Sequence, residues 1–374
     1  MKYKMFKPFV SNGASSAVER VLLSGYLNEG VEVSEFSGMI EDFIGIPATM
    51  TNSGTSAIQI ALKLSGMSPG DFIITPSMTC VATSQAISWG GGVPFWVDIT
   101  PKFGCPSAEQ VEFALNCCPR AKAVVVVSWG GVPPDLARIK EITSSKGVKL
   151  IHDAAHAFGS EIDGLSVAHL ADFTCFSFQA IKHLTTGDGG AVVCLDPKLR
   201  ALAEKSKWFG IDRFESKDES GEWKGQRWEI DVDSPGSKMH MNNIAAAIGV
   251  SNMAHVDEIM SKYRRNHKIL EDGLEGVLPS IKSPVPGANS SCWVYTGLTD
   301  PRKRDKHLKS IRSYGVDAGL VHVPNHVYSL YEGSMMSLPG TEEFSSSQIS
   351  LPCNWSLSEH DMKEIVSVVL EVMG

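Results

Sequence analysis

The first half of the chain repeats one pattern, in which a short apolar run is followed by a turn and then by a stretch with helical spacing. Four runs predict buried strands, at 72–75, 94–97, Ala123–Val127 and 149–151. Every position of Ala123–Val127 is apolar, as expected for a strand that is covered on both faces. Helical spacing follows at 55–65 and 134–144. The alternation predicts an α/β domain with a mostly parallel sheet and right-handed crossovers.

The second half is less regular. Two more strands are predicted at 172–178 and 191–194, joined by a Gly-rich loop. The segment 212–238 is dense in charges of both signs, and predicts a long polar loop at a pocket rim or subunit edge, with a mobile surface insertion as the alternative. From Asn242 the pattern is helical.

The last third mixes short strands with helices. Strands are predicted at 293–298 and 319–323. The final helix is predicted over Glu359–Met373, with Ser358 as its N-cap. We place the domain boundary near residue 250, which predicts a large α/β domain over 1–250 and a smaller α+β domain over 251–374.

Length and composition agree with this division. The chain has 374 residues, 43% hydrophobic and 20% charged, which is enough apolar surface for a large core. The net charge of -8 excludes a general attraction for nucleic acid or anionic membranes. No apolar run of about twenty residues predicts a membrane span, and the first residues lack the apolar stretch of a signal peptide.

The eight cysteines form no C-x-x-C pair. We therefore expect reduced, structural thiols in a cytoplasmic protein, and we predict no metal site.

Three segments carry candidate chemistry, and the first runs from Thr51 to Ala57. A strand end leads into Ser53, Gly54 and Thr55, where a helix begins. Backbone N–H groups at a helix start, together with hydroxyl groups, favour an anion. Simple N-capping is the alternative for this segment alone.

The second segment places Asp153 directly after a buried strand, at the carboxyl end where α/β sheets bind ligands. A buried carboxylate needs a partner, and the protonated ring nitrogen of a cofactor would be one. His156, three residues on, is in a position to face the same cavity or to be a satisfied core histidine.

The third segment places Lys182 between an apolar strand and a Gly-rich turn. A partly desolvated lysine there has a lowered pKa and can form a Schiff base. Ser177, at the strand end, can bind an anion; a solvated loop lysine is the alternative. Together the three segments supply a phosphate cradle, an acid for a pyridinium nitrogen and a Schiff-base lysine, which is the set that pyridoxal phosphate needs.

These segments resemble the DegT/DnrJ/EryC1/StrS group of sugar aminotransferases, of the aspartate-aminotransferase fold (fold type I). The resemblance covers nearly the whole chain, through TNSGTSAIQIAL, GDFIITPSMTCVAT, HDAAHAFGS, FSFQAIKHLTTGDGG and GSKMHMNNIAAAIG. It implies a PLP-binding large domain, with a mostly parallel mixed sheet flanked by helices, and a smaller C-terminal α+β domain.

The resemblance also implies roles for individual residues. Lys182 matches the lysine that forms the Schiff base and then moves a proton, and Asp153 matches the carboxylate on the pyridine nitrogen. His156 matches a position beside the cofactor ring. Gly54, Thr55 and Ser177 match phosphate contacts.

Two positions depart from the family pattern. Cys80 stands where many members have an aromatic residue stacked on the pyridoxal ring. Either a smaller group covers that face, or another residue such as Trp89 or Trp129 replaces the aromatic ring. Lys238 stands where Asn often contacts the phosphate across the dimer, and a lysine can still meet a phosphate as a point charge.

The implied reaction transfers an amino group from glutamate to a keto-sugar, expected to be nucleotide-linked, in deoxyamino-sugar or surface polysaccharide biosynthesis. Candidate substrate contacts are His183, Arg213, His322 and His326. The family implies a homodimer with shared active sites, in which 236–241 reaches the neighbouring cofactor. The alternatives are a free sugar-acid aldehyde such as an 8-oxo-octulosonate as acceptor, a sugar dehydratase on the same scaffold, and a non-catalytic binding protein. Lys182 argues against dehydration, since dehydrating members carry His there.

Overall fold

The computed structural model describes residues 1–212, 230–333 and 336–374. Most of the predicted polar loop 212–238 lies outside these residues, so that prediction stays a prediction.

Within the described ranges, nine strands precede residue 200 and three follow it. In chain order they are β1 Ala48–Thr51, β2 Phe72–Pro76, β3 Val93–Val97, β4 Ala123–Val127, β5 Lys149–Asp153, β6 Glu161–Ile162, β7 Leu165–Ser166, β8 Phe173–Ser177, β9 Gly190–Cys194, β10 Ala288–Asn289, β11 Tyr295–Leu298 and β12 Gln348–Leu351.

The α-helices alternate with the strands in the first half and dominate the second half. They are α1 Ala14–Ser24, α2 Val31–Ile44, α3 Gly54–Leu64, α4 Val81–Trp89, α5 Ala108–Cys117, α6 Leu136–Ser145, α7 Pro197–Ser206, α8 Asn243–Met253, α9 Val256–Leu274, α10 Arg304–Ser313, α11 Pro339–Ser347 and α12 Glu359–Met373.

Seven strands form the central sheet, in the order β1-β9-β8-β5-β4-β2-β3. The neighbours from β8 to β3 pair in parallel, and β9 runs antiparallel to both β8 and β1. Helices cover both faces, which buries β4 at all five positions. The predicted α/β class with a mostly parallel mixed sheet is confirmed.

One helix shows how the apolar spacing fixes the packing. The buried residues of α2 are Val33, Phe36, Ile40 and Ile44, which recur at three- and four-residue intervals and so share one face. This face packs against α8, where a Cβ on Gly249 would lie 2.7 Å from the ring of Phe36. The missing side chain therefore lets the two helices approach closely.

A second core lies in the C-terminal third. Buried side chains of α9 and α12 pack together with β11 and β12, and Tyr3 from the N-terminal segment joins them. The division near residue 250 stays a prediction. Among the described residues, no helix combines the length and apolar character that crossing a bilayer requires.

Most predicted elements are confirmed, among them the final helix with its Ser358 cap. The predicted strand at 319–323 is wrong, since only Gly319 makes an isolated bridge, to Ser350. Beyond Gly319 the chain leaves the β12 edge, and Asn325 donates from its backbone N–H to the carbonyl oxygen of Ser77, at 2.8 Å. The chain therefore turns toward the large sheet instead of extending the small one.

Gly190 begins β9 where the sheet meets the start of α3. A Cβ there would lie 2.5 Å from the backbone of both Ser53 and Gly54. Backbone atoms cannot move aside as a flexible side chain can, so this position requires glycine for close approach.

We expect Gly190→Ala to lower the free energy of unfolding by about 1–3 kcal/mol, because the added methyl group overpacks a backbone contact. Chemical denaturation with a far-UV signal measures the change. Gly38→Ala is the matched control, since Gly38 lies exposed inside α2 with open space around its Cβ position. The control should be neutral or stabilising by up to about 1 kcal/mol; equal destabilisation of both variants would contradict the packing argument.

Candidate active site

The candidate site lies where the parallel strands end. β5 ends at Asp153, β8 at Ser177 and β1 at Thr51. The strand pairing places Thr51 and Ser177 on either side of Gly190, and Asp153 beside Cys175. The carboxyl edge of an α/β sheet is where such folds bind ligands, so these ends define the search area.

The start of α3 forms a cradle of N–H and hydroxyl groups. Ser53 caps the helix, and its Oγ accepts a hydrogen bond from the N–H of Ser56 at 3.1 Å. Gly54 follows, and a Cβ there would lie 2.8 Å from the Cβ of Ser177. Thr55 is the next residue of the same turn. The structure therefore brings the predicted phosphate contacts together at the positive end of a helix.

Lys238 lies beside this cradle. Its carbonyl oxygen accepts a hydrogen bond from Nδ2 of Asn52 at 3.3 Å, and the N–H of Asn52 donates to the carbonyl oxygen of Met239 at 2.7 Å. The residue itself is exposed. The contact of Lys238 with a neighbouring subunit's phosphate stays a prediction.

Asp153 is a buried carboxyl group, 3% exposed. Its Oδ2 accepts a hydrogen bond from the Thr83 hydroxyl at 2.7 Å, and its Oδ1 accepts one from the N–H of Ala155 at 3.1 Å. Burial raises the pKa of Asp153 above its usual value, while the two hydrogen bonds and the charge of Lys182 act in the opposite direction. A further positive charge at this site would stabilise the ionised form.

The threonines behind Asp153 were missed by the sequence reasoning. Thr83 lies in α4, and its hydroxyl lies 2.9 Å from that of Thr79. Both side chains are buried. Their four-residue spacing in an apolar segment was a usable signal, because a buried hydroxyl group has to find a polar partner.

Lys182 lies in the loop between β8 and β9. Its Nζ is 4.0 Å from the ring centroid of Trp293, and Nε1 of Trp293 donates to the carbonyl oxygen of Ile181 at 2.9 Å. Burial lowers the pKa of Lys182 to about 8, although Cys80 and Asp153 act to raise it. The amine is therefore partly neutral near neutral pH, as a nucleophile or base requires. The sequence reasoning missed Trp293.

His156 continues the same stack of rings. Its imidazole packs on Trp293 at 3.8 Å between centroids, and His322 lies 5.4 Å away with nearly parallel planes. Burial and the nearby Lys182 lower the pKa of both histidines, to about 3 for His322, so both imidazoles are neutral. Nδ1 of His156 and Nε2 of His322 are buried without a hydrogen-bond partner among the described residues.

Cys80 interacts electrostatically with both Asp153 and Lys182. The thiol therefore lies near both groups, and its predicted place against the cofactor ring stays a prediction. Trp89 is 82% exposed. Trp129 is buried, and its ring contacts His322 and Phe344 edge-on. Trp293, by contrast, packs against both Lys182 and His156.

The segment after 320 closes one side of the site. Nδ1 of His326 lies 2.6 Å from Oγ of Ser77, in the loop after β2. Asn325, which the sequence reasoning did not single out, is buried and donates from Nδ2 to the carbonyl oxygens of Ser77 and Thr79, at 3.0 and 2.7 Å. The C-terminal part of the chain is therefore attached to the loop that holds Cys80.

Of the other two predicted substrate contacts, one is buried in the core and one is not described. His183 is 1% exposed, its Nε2 lies 2.9 Å from the carbonyl oxygen of Ser291, and its ring packs on Tyr263. This placement favours a structural role, and its substrate contact stays a prediction without support from the geometry. Arg213 lies outside the described residues.

The site fits pyridoxal phosphate by the chemistry of its groups. The cradle around Gly54 and Ser177 suits the phosphate, the buried Asp153 suits the ring nitrogen, and Lys182 suits the aldehyde. The unpartnered Nδ1 of His156 offers a polar contact at the ring.

The fold and the site together define a class: an α/β enzyme with a desolvated lysine, a buried acid and an anion cradle at one sheet edge. Comparison with known proteins identifies the family within this class. The model of the DegT/DnrJ/EryC1/StrS aminotransferase family matches residues 10–370, so the chain belongs to this family of PLP-dependent aminotransferases.

Individual relatives cover almost the whole chain. The chain is 27% identical to a dTDP-4-dehydro-2,3,6-trideoxy-D-glucose 4-aminotransferase of Saccharopolyspora spinosa, covering 96% of this chain and 94% of that one. It is 26% identical to the spore coat polysaccharide biosynthesis protein SpsC of Bacillus subtilis, over 98% and 96%. The structure of the aminotransferase TlmJ from Streptoalloteichus hindustanus superposes with a TM-score of 0.90 and 30% identity, over 100% and 99%.

We expect Thr83→Val to lower kcat/KM about 10- to 100-fold, because a buried carboxylate loses a hydrogen bond without any change in side-chain volume. Thr83→Ser keeps the hydroxyl group and should stay within about three-fold of the wild type. Steady-state kinetics with matched thermal melts measures both. Equal rates for the valine and serine variants would show that the hydrogen bond to Asp153 has no role in the reaction.

Proposed function

We propose that this protein transfers the amino group of glutamate to a nucleotide-linked keto-sugar, in the biosynthesis of a deoxyamino sugar for a surface polysaccharide or related product. The observation that carries the proposal is the position of Lys182. It is desolvated, lies over Trp293, and interacts with Asp153 at the end of the sheet. No structural role accounts for a buried amine in this position.

Pyridoxal phosphate, when bound, supplies an aldehyde that takes up the amino group and a ring that withdraws electrons from the substrate carbon. The cradle at Gly54, Thr55 and Ser177 holds its phosphate, with Lys238 as an added positive charge. Asp153 would keep a proton on the ring nitrogen, and Thr83 orients the carboxylate. His156 would offer the ring a polar contact through its unpartnered Nδ1.

Lys182 has two tasks in this proposal. Its Nζ would hold the cofactor through the aldehyde group, since the lowered pKa leaves part of the amine neutral. Nζ would also act as the base that removes a proton from the donor's α-carbon and as the acid that supplies a proton at the sugar carbon. Two half-reactions on one site predict ping-pong kinetics.

The acceptor is proposed from the relatives and from the segment 320–331. One relative is named for a dTDP-linked keto-sugar and another for spore coat polysaccharide. We place the sugar beside His322, whose ring lies 5.4 Å from that of His156, and near His326, because neutral imidazoles can hydrogen-bond to hydroxyl groups. A free sugar-acid aldehyde and sugar dehydration are not favoured by these relatives.

We also propose a homodimer. Leu23 and Val31, in and after α1, are 81% and 77% exposed, and Leu22 and Tyr26 extend this apolar surface. Within its own chain, the segment 236–241 is hydrogen-bonded to Asn52, which lies beside the cradle. In the dimer, Lys238 extends from this position to the phosphate in the neighbouring subunit.

We expect the protein loaded with pyridoxal phosphate to release 2-oxoglutarate from glutamate in a single turnover, and to turn over continuously with a suitable nucleotide-linked keto-sugar. Lys182→Ala should lower the rate by at least about 10³-fold, because it removes both the nucleophile and the base. Coupled detection of 2-oxoglutarate across a set of keto-sugar nucleotides and sugar aldehydes measures this.

Lys146→Ala is the matched control, since Lys146 is exposed at the end of α6, far from the sheet edge that holds Lys182. It should keep the wild-type rate. A Lys182→Ala variant that keeps the glutamate half-reaction would contradict the mechanism. If the protein prefers a free sugar aldehyde, the acceptor is a free sugar-acid aldehyde and not a nucleotide-linked keto-sugar. The proposed role of Lys182 would then be unchanged.

Hybrid dimers test the role of Lys238 across the interface. Lys182→Ala and Lys238→Ala subunits are each expected to form homodimers of low activity. If Lys238 acts on the neighbouring phosphate, mixing them restores one complete site per hybrid dimer, because Lys182 of one subunit then meets Lys238 of the other. Activity after mixing and re-equilibration measures this. A mixture with only the summed activity of the two parents would show that Lys238 acts within its own subunit.

A further inference from the structure

A cavity of about 450 Å³ lies outside the candidate active site, on the side of α9. Its lining includes Arg264, His267 and Glu271 of α9, together with Lys282 and Cys292. The volume suits a ligand of a few tens of atoms at most. No step of the proposed reaction uses this cavity.

Cys292 and His267 form a pair at this cavity. The two side chains line the cavity together, and the Cys292 thiol donates a hydrogen bond to the carbonyl oxygen of Ser290 at 3.5 Å. Burial alone would raise the pKa of Cys292, but the interactions with His267, Ser290 and Arg264 outweigh burial and hold that pKa below its usual value. The pKa of His267 shifts in the matching direction, since its interaction with Cys292 outweighs burial and raises it. The thiol is therefore more acidic, and the imidazole more basic, than the free side chains, which favours a reactive thiol.

The backbone holds Cys292 in an uncommon conformation, with φ at 57°. Its N–H donates to Oγ of Ser290 at 3.0 Å, and its carbonyl oxygen lies 3.2 Å from Sγ of Cys353. A non-glycine residue with positive φ has to be held in place by its surroundings. These contacts fix the backbone of Cys292 where the residue lines the cavity.

The charges around the thiol favour an anion. Arg264 donates to the carbonyl oxygens of Ser290 and Gly159, at 3.2 and 2.6 Å, and these neutral partners leave its charge uncompensated. The nearby Lys282 and Glu271 form an ion pair at 3.3 Å and cancel each other. The charge of Arg264 therefore makes the surroundings of the thiol positive.

We propose that Cys292, with His267 as its partner, is a nucleophilic thiol that small anionic disulfides reach through this cavity and modify. Sγ of Cys292 attacks one sulfur of the disulfide, so that a new S–S bond forms and the original one breaks. Cys292 is oxidised, the departing sulfur is reduced, and it leaves as a thiolate that takes the proton of His267. The disulfide is itself the oxidant, and the site is independent of the proposed sugar substrate.

Modification here acts on the active site through the neighbours of Cys292 in the chain. Oγ of Ser291 donates to the carbonyl oxygen of His156 at 2.8 Å, and Trp293 stacks on the His156 ring. A group attached to Cys292 therefore strains both contacts that hold His156 beside Lys182.

The test uses dithiobis(nitrobenzoate), an anionic disulfide whose leaving thiolate absorbs visible light. Sub-stoichiometric reagent should label Cys292 first, as shown by peptide mapping, and His267→Asn should slow that labelling on the order of ten-fold. Cys117→Ser removes an exposed thiol and should keep the fast phase. With the neutral disulfide dithiodipyridine, most of the preference for labelling Cys292 should disappear. Labelling confined to Cys117 or Cys80, or an unchanged rate in His267→Asn, would overturn the proposal.

Cys292→Ser supplies a second measurement that does not depend on mapping. The labelled wild type should lose aminotransferase activity and regain it with dithiothreitol, whereas Cys292→Ser treated in the same way should keep its activity. Thermal melts before labelling establish that each variant is folded. Full activity of a protein labelled only at Cys292 would contradict the coupling to His156.

Discussion

The central constraint in this structure is the burial of the Asp153 carboxyl group. A carboxylate removed from water is costly unless hydrogen bonds or opposite charge compensate it. The protein supplies a hydroxyl from Thr83, an N–H from Ala155 and the charge of Lys182. The strand end, helix α4 and the loop that carries Lys182 must therefore meet at one point, and the surrounding fold is arranged to bring them there.

The C-terminal third takes part in this arrangement. Trp293 covers Lys182 and His156, and Asn325 is bonded to the loop that follows β2. Both residues lie some forty residues or more beyond the proposed domain boundary near residue 250. Both nevertheless contact residues of the predicted large α/β domain. Desolvation of Lys182 therefore depends on the two parts of the chain packing together, and a change in that packing would alter the lysine pKa.

The cavity at Cys292 shares this dependence. Ser291 and Trp293, on either side of the thiol, both contact His156. One short stretch of chain thus forms a wall of the active site on one face and holds a thiol–imidazole pair on the other. Packed interiors transmit small displacements because they contain little free space.

Local pattern by itself determined the α/β class, most strand positions and the roles proposed for Lys182 and Asp153, because apolar runs and motif order are properties of adjacent residues. Tertiary structure alone decided what surrounds them. Thr83, Trp293 and Asn325 lie 70 or more residues from the groups they contact, so no local spacing identifies their partners. The strand predicted at 319–323 is wrong for the same reason. Asn325 is hydrogen-bonded to Ser77, and that distant contact outweighs the local propensity to form a strand.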